Sequence, residues 1–392
     1  MRPQCTAIGS TADHAHTSRT IAVVTTTTVD YSVIVVGGGP AGALAALRLA
    51  RAGALVLVID RQRPGRVEAA EILSPEGRQL LKREKIWPEI PLDLTWPCPA
   101  MATAWEAPEP TWTWFALHPD GCAAHIDRVR FDAWMTDHIR AAGVHVETGT
   151  AHAVRRIDDG WIVDFTNGET RQRASTRCLI LATGRASPPF HVAPRRRIDS
   201  LCLVAGTTDR DPHAPDALIV EATQDGWWYS APLMSGALFT GWMTDFSLVG
   251  HGRYAEAAVA SLETTPVHRE RVGTPRISTI IGSATWALSP CSGPGWIAIG
   301  DAGLARDPIG GDGLTSAFRS ACEGADVVTR ALNGDAAVWA EAAAHTDHIA
   351  RRYEERRLSL YGLARSRWPT SPFWRRFHES GATAGARRPR PR

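Results

Sequence analysis

Tyr31-Ser-Val-Ile-Val-Val-Gly-Gly-Gly-Pro-Ala-Gly42 runs into an Ala- and Leu-rich stretch that closes on Val56-Leu-Val-Ile-Asp60. Strand, glycine turn, helix, second strand and terminal acid, in that order, specify a dinucleotide-binding β-α-β unit. Gly37 makes the tight turn, Gly39 lets the backbone approach a pyrophosphate, and Gly42 lets the helix lie close to the sheet. Pro40 and Ala41 open that helix, whose positive N-terminal end faces the phosphates. Asp60 is placed to accept hydrogen bonds from a ribose diol, and Arg61 follows it in the cofactor-binding set.

Composition narrows the class. The 392 residues are 44% hydrophobic and 21% charged, with a formal net charge of +2, which suits a soluble α/β globule and argues against a nucleic-acid partner. No run of about 18 apolar residues is present, so no membrane span is expected. Seven cysteines, at 5, 98, 122, 178, 202, 291 and 322, are scattered without a Cys-x-x-Cys pair. They read as free thiols of a reducing cytoplasm, with no metal site. Residues 1–29 lack the basic start and apolar middle of a secretory signal and are expected to be a disordered extension.

Periodicity organises the remainder. Phe131 to Ala142 predicts an amphipathic helix that stops at Gly143. Val144–Val146, Ala153–Ile157 and Trp161–Phe165 read as strands, with Asp158-Asp-Gly160 a hairpin turn. Trp87 to Trp114 shows no clean period and reads as irregular cover. Ala217–Gln224, Trp227–Leu233 and Leu238–Asp245, joined by tight turns, predict an antiparallel meander. Arg253–Leu262 reads as helix, Ile277–Leu288 as one strand and Gly313–Leu332 as a long helix.

Two further glycine-bearing segments carry chemistry. Leu181-Ala-Thr-Gly184 ends a buried strand, placing Thr183 and Gly184 in the set. Gly300-Asp301-Ala302 ends another, where the carboxylate can bond a ribityl hydroxyl. Pro308-Ile-Gly-Gly-Asp-Gly-Leu314 then exposes the amides of Gly310, Gly311, Asp312 and Gly313 ahead of Leu314. Such a helix start suits the negative N1 and O2 region of a reduced flavin. The three segments together indicate FAD.

These motifs resemble the FAD-dependent aromatic hydroxylase and halogenase superfamily of p-hydroxybenzoate hydroxylase type, from about Asp30 to Leu332. One branch is more similar: the flavoprotein maturases of cysteine tryptophylquinone enzymes, which include the lysine ε-oxidase maturase and a peptidyl-tryptophan hydroxylase. The residues that carry this are His125-Ile-Asp-Arg128 with Phe131-Asp132, Ala182-Thr-Gly-Arg185, Asp225-Gly-Trp-Trp-Tyr-Ser-Ala-Pro232, Met243-Thr-Asp245, and Arg367-Trp368 with Pro372-Phe-Trp-Arg-Arg376. Two positions depart from the pattern: Thr183 replaces the Asp of the simple hydroxylases, and Ala70 stands where Gly is expected before Glu71-Ile-Leu-Ser-Pro75.

The resemblance implies a Rossmann-like FAD domain of glutathione-reductase type at 30–198 and 289–334, an inserted β-sheet substrate domain at 199–288, a helical region at 335–378 and a disordered basic tail at 379–392. It implies NADH or NADPH as reductant, O₂ as co-substrate, and oxygen transfer through a flavin C4a-hydroperoxide to an aromatic ring. In the closer branch the ring is a tryptophan indole of a partner protein. Arg128 would contact FAD and Asp301 the ribitol, and Pro308 with Gly310–Gly313 would lie beside the isoalloxazine. Halogenases of the superfamily need a lysine near the substrate, and Pro97 to Pro110 contains none; the only lysines are Lys82 and Lys85.

Fifteen tryptophans remain to be placed. Alternation along a strand puts Trp227 and Tyr229 on one face and Trp228 on the other; Trp227, Tyr229 and Asp307 are the pocket candidates. His118, His125, Asp307, Asp312 and Glu71 are candidate bases by position. From Arg351 to Arg392 twelve Arg stand against three Glu, either a solvated helix and tail or a docking surface for an acidic partner.

Overall fold

The computed structural model describes residues 30–61, 70–186, 190–249 and 252–383. The extension expected at 1–29, and 384–392 of the basic tail, lie outside them.

β1 (Asp30–Val36) is apolar on both faces, with Val33, Ile34 and Val35 fully buried, as a central strand of a parallel sheet must be. It passes through the glycine turn into α1 (Pro40–Arg51), which returns as β2 (Val56–Asp60). β3 (Glu71–Leu73) leads to α2 (Pro75–Arg83), capped by the Ser74 hydroxyl accepting from the Gly77 amide at 3.2 Å. β4 (Thr95–Cys98), β5 (Ala100–Ala104), β6 (Thr111–Trp114) and β7 (Ala123–Ile126) follow. α3 (Arg128–Ala141) is capped by Asp127 and buries Phe131, Met135 and Ile139, spaced by four along one face. Next come β8 (His145–Thr148), β9 (Thr150–Ile157), β10 (Gly160–Asn167) and β11 (Thr170–Leu181).

Beyond β12 (Arg195–Arg197) the chain builds a second sheet from β13 (Leu201–Asp209), β14 (Ala217–Thr223), β15 (Gly226–Pro232) and β16 (Ala237–Asp245). α4 (Tyr254–Leu262), α5 (Pro266–Val272) and β17 (Arg276–Gly282) complete it. The chain returns through β18 (Trp286–Leu288), β19 (Ser292–Gly293), β20 (Trp296–Ala298) and β21 (Leu304–Ala305) to α6 (Gly313–Leu332). It closes with α7 (Val338–Arg365) and α8 (Pro372–Thr383).

The first sheet runs β19-β20-β11-β1-β2-β8, with β9 and β10 attached to β11. β1 pairs in parallel with both β11 (Val36 opposite Leu181) and β2 (Val36 opposite Ile59), which brings the carboxyl ends of the three strands side by side. α1, α3 and α6 cover one face through Leu44, Leu47, Phe131 and Phe318. The second sheet runs β17-β13-β16-β15-β14-β5-β6. Trp228, Trp242 and Val204 on one face meet Tyr254 and Leu262; Trp227, Phe239 and Leu203 on the other meet Tyr361, Phe373, Trp374 and Phe377 of the last two helices.

Three expectations change. Trp87–Trp114 is not irregular cover: β4 joins β3 and β7, while β5 and β6 extend the second sheet. β5 alternates in burial but buries only alanines, and β6 is wholly exposed, so no alternation of large apolar residues marks them. Ile277–Leu288 is not one strand, because β17 and β18 lie in different sheets and the chain crosses between them at Ser283–Thr285. α8 continues to Thr383, into the stretch expected to begin the tail.

Candidate functional site

The glycine turn is built by close approach. Gly37 has φ +110°, and a Cβ there would lie 2.3 Å from the Ala182 carbonyl oxygen; one on Gly42 would lie 1.9 Å from that of Gly37. No side chain fits at either position, so turn, helix and β11 end are packed backbone to backbone. Gly39 differs: a Cβ would meet nothing within 4 Å. It is the N-cap of α1, with no side-chain cap and with Pro40 at the first turn. Its φ of −67° suits any residue. The first amides of α1 therefore have no side-chain cap, and the space beside Gly39 is open.

The other two segments meet this turn. Ala182 N donates to Val36 O at 2.8 Å and Ile299 N to Leu181 O at 2.9 Å, so the three strands end together. Gly300, at φ +58°, packs where a Cβ would be 3.0 Å from that of Ala41. Gly184 is also left-handed, at φ +64°. Arg185 Nε lies 3.2 Å from Asp301 Oδ2, joining the second segment to the third. Burial raises the Asp301 pKa, against the pull of Arg185, Arg306 and Arg128. Arg128, the first residue of α3, bonds Glu71 at 2.9 Å and Asp132 at 2.7 Å. Burial disfavours its charge, but Glu71, Asp132 and Asp301 more than offset this and its pKa is raised. Asp60 ends β2 beside the turn, where a Cβ on Gly38 would be 2.9 Å from its own. Among the described residues no group hydrogen-bonds the Asp60 carboxylate. Arg61 is exposed beyond it.

Pro308–Gly310 forms a single helical turn, Gly311 follows at φ +60°, and Asp312 is the N-cap of α6 without a side-chain cap bond. Its carboxylate turns to Arg306 at 3.3 Å and Ser316 at 2.9 Å. Cβ atoms on Gly311 and Gly313 would meet nothing within 4 Å, and Leu314 anchors the helix in the core.

The donor set fits FAD: two uncapped helix starts, α1 and α6, with open space over Gly39, Gly311 and Gly313. The Asp301 carboxylate could accept from ribityl hydroxyls, and Asp60, beside the glycine turn, from a ribose.

The aromatic candidates separate. Trp227 is fully buried, its indole N–H donating to the Tyr361 hydroxyl at 3.1 Å and its ring edge-on to Trp105 at 6.3 Å. It is packing beneath the C-terminal helices. Tyr229 shares its face, with Ile309 and Ala70 in the same cluster. Burial raises its pKa, Glu71 adds to this, and Arg185 opposes it. Glu71 of β3 and Arg185 of the second segment thus act on Tyr229, whose hydroxyl bonds no group among the described residues. Asp307 is buried and accepts from the Ile309 amide at 3.1 Å.

The other candidate bases are placed as follows. Glu71 holds Arg128, and His118 lies 3.3 Å from Glu76. His125 is buried and stacked on Trp96 with ring centroids 4.8 Å apart. Burial pushes the His125 pKa down to about 4. Sequence reasoning missed Arg357, Asp199 and Tyr361, which enclose Asp307; the spacing Tyr353, Arg357, Tyr361, one per helical turn, was the available signal.

Residues 31–196 match the pyridine nucleotide-disulphide oxidoreductase family. The flavin-dependent halogenase armH1 of Armillaria mellea is 24% identical over 379 residues, 85% of this chain and 71% of that protein. A geranylgeranyl diphosphate reductase of Rhodobacter capsulatus is 31% identical over 172 residues, 43% of this chain and 41% of that one. The solved structure of the peptidyl tryptophan dihydroxylase QhpG, essential for tryptophylquinone cofactor biogenesis, superposes with a TM-score of 0.73 at 23% identity, covering 89% of this chain and 79% of its own. The halogenase CmlS superposes with a TM-score of 0.79 at 21% identity, covering 91% and 70%.

The chain has the fold of the FAD-dependent aromatic hydroxylases and halogenases. The candidate site lies at the carboxyl ends of β1, β2 and β11, and Tyr229 of the second sheet shares an apolar cluster with Ile309 of the third segment. Among the described residues no helix is long and apolar enough to cross a membrane.

Proposed function

We propose that this chain is an FAD-dependent monooxygenase that hydroxylates the indole of a tryptophan in a partner polypeptide, during maturation of a quinone cofactor in the cytoplasm. The observation that carries the FAD reading is the meeting of three remote segments, Gly37–Gly42, Ala182–Arg185 and Gly300–Gly313, with two uncapped helix starts among them. FAD reduced by NADH or NADPH would supply activation of O₂ there.

The chain's own residues do the remaining work. Gly39, Pro40, Ala41 and Gly42 receive the pyrophosphate, Asp60 and Arg61 the adenosine half, Arg128, Thr183, Gly184 and Asp301 the linker, and Pro308 to Leu314 the ring. Tyr229 and Ile309 wall the cleft, excluding water and offering an aromatic edge and a hydroxyl to an indole. We take 30–198 and 289–334 as the cofactor part and 199–288 as the substrate part, the latter extended by β5 and β6. The likeness to QhpG over most of this chain supports a peptidyl tryptophan.

Halogenation is the rival, supported by the likeness to armH1. Against it, Pro97–Pro110 carries no lysine, and both lysines are exposed, on α2 and just after it.

Mass spectrometry of the partner polypeptide after incubation with the enzyme, reductant and air separates these readings. Oxygen added to a tryptophan peptide is expected. Oxidation of free indole or phenol in its place indicates a small-molecule hydroxylase, and halide incorporation a halogenase. No turnover with any partner indicates a flavin-binding assembly factor.

A further inference from the structure

Arg357, in the middle of α7, is 2% exposed and meets three carboxylates: Asp199 at 2.5 Å, Glu354 at 2.9 Å and Asp307 at 3.3 Å. Its guanidinium also lies 3.3 Å from the Thr285 hydroxyl. Every partner except Glu354, which lies on α7 itself, occupies a junction. Asp199 stands where the chain leaves for the second sheet, and its other carboxylate oxygen accepts from Leu201 N at 3.2 Å and Thr285 N at 2.9 Å. Thr285 stands where the chain returns. Asp307 opens the Pro308–Gly313 loop, bonding Ile309 N through one oxygen and leaving the other to Arg357 and the Tyr361 hydroxyl, the latter at 3.2 Å. The Asp307 amide donates to the Tyr353 hydroxyl at 3.0 Å.

A buried guanidinium is costly unless paired, and carboxylates gathered without it repel one another. This arrangement therefore has one low-energy form, in which α7, both crossings and the loop before α6 are held together. Tyr353, Arg357 and Tyr361 are spaced by four and share one face of α7, so a single helix face grips Asp307 from its amide to its carboxylate.

We propose that Arg357 is a positioning residue: with Tyr361 it seats Asp307, and through Asp307 it fixes the Pro308–Gly313 loop against FAD, so the C-terminal helix sets the flavin geometry from outside the cleft. This rests on the FAD reading above and names the element that regulates that site.

The test compares Arg357→Lys and Tyr361→Phe with Leu358→Ala, a neighbour on α7 that packs in the same apolar cluster as Tyr361 and makes no hydrogen bond to Asp307. FAD affinity is read by fluorescence titration, flavin environment by visible absorption and circular dichroism, and folding by thermal melting. Tyr361→Phe keeps the ring and is expected to fold, yet to alter the flavin spectrum and weaken FAD binding several-fold. Arg357→Lys, which keeps the charge but loses the fork, is expected to weaken binding about tenfold or more. Leu358→Ala is expected to lower the melting temperature with spectrum and affinity unchanged. Should Arg357→Lys fail to fold, Tyr361→Phe decides. Wild-type spectrum and affinity in Tyr361→Phe, or equal weakening in Leu358→Ala, would overturn the proposal. A wild-type chain that takes up no FAD sinks the underlying reading and the proposal together.

Discussion

The Arg185 guanidinium lies 3.2 Å from the Asp301 carboxylate, so two of the three cleft segments are tied by charge above the parallel β11–β20 pairing. Asp301 is thereby paired with a cation, and on the proposed reading it would also accept from the cofactor's hydroxyls. Asp301→Asn keeps the shape but loses the charge and part of the acceptor capacity. FAD binding should weaken by about 10- to 100-fold, equivalent to about 1.4–2.8 kcal/mol, with little change in melting temperature. Unchanged affinity by fluorescence titration would remove Asp301 from the site.

Gly39 and Gly42 make a paired prediction because their surroundings are opposite. Gly42→Ala drives a methyl into the Gly37 carbonyl and should cost at least about 2 kcal/mol of stability by urea denaturation. Gly39→Ala meets open space at an ordinary φ, so the fold should stand while the methyl intrudes on the pyrophosphate. Stable Gly39→Ala protein with full FAD affinity would show that the phosphates lie elsewhere.

How much of this was legible follows from where each signal resides. The first β-α-β unit was readable because Val33–Val36 and Val56–Ile59 are buried on both faces and the turn admits no side chain at Gly37 or Gly42. The helix at Gly313–Leu332 was read to the residue because its apolar stripe is long. Burial also confirms the split of Trp227 and Trp228 between two faces. What failed was non-local. Ala100–Ala104 pairs in parallel with β14, more than a hundred residues later, and nothing in its own composition marks that edge. Trp227 looked like a pocket wall because sequence could not show that Trp105, Tyr361 and Trp374 cover it. Asp307 was found by position, but its partner Arg357 and Asp199, which shares that guanidinium, are separated by 158 residues and meet only in the folded chain.

Tyr229 is the aromatic side chain we assign to the substrate. Tyr229→Phe should bind FAD as wild type and lower kcat/KM for the aromatic substrate by about tenfold, through loss of one hydroxyl contact. Unaltered kinetics with the partner polypeptide would reassign Tyr229 to packing.

Acid sensitivity has an assigned source. His125 is neutral in the fold, with its pKa pushed down by burial from 6.5 to about 4. The unfolded chain therefore binds the extra proton first as pH falls, so stability is full above 6.5 and is lost progressively toward pH 4. The loss from this group is roughly 2–3 kcal/mol. Burial likewise lowers the His268 pKa, against the pull of Glu221, and adds to the slope in the same direction. His125→Phe, which keeps a ring against Trp96, should flatten the urea midpoint between pH 6.5 and 4; an unchanged profile would contradict the assignment.

FAD content of the purified chain tests the central claim most directly. Protein expressed in cells, or refolded with added FAD, should retain about one FAD per chain, seen as visible flavin absorbance that coelutes with the protein and is lost in Gly39→Ala. A folded, colourless chain that takes up no FAD would contradict the account.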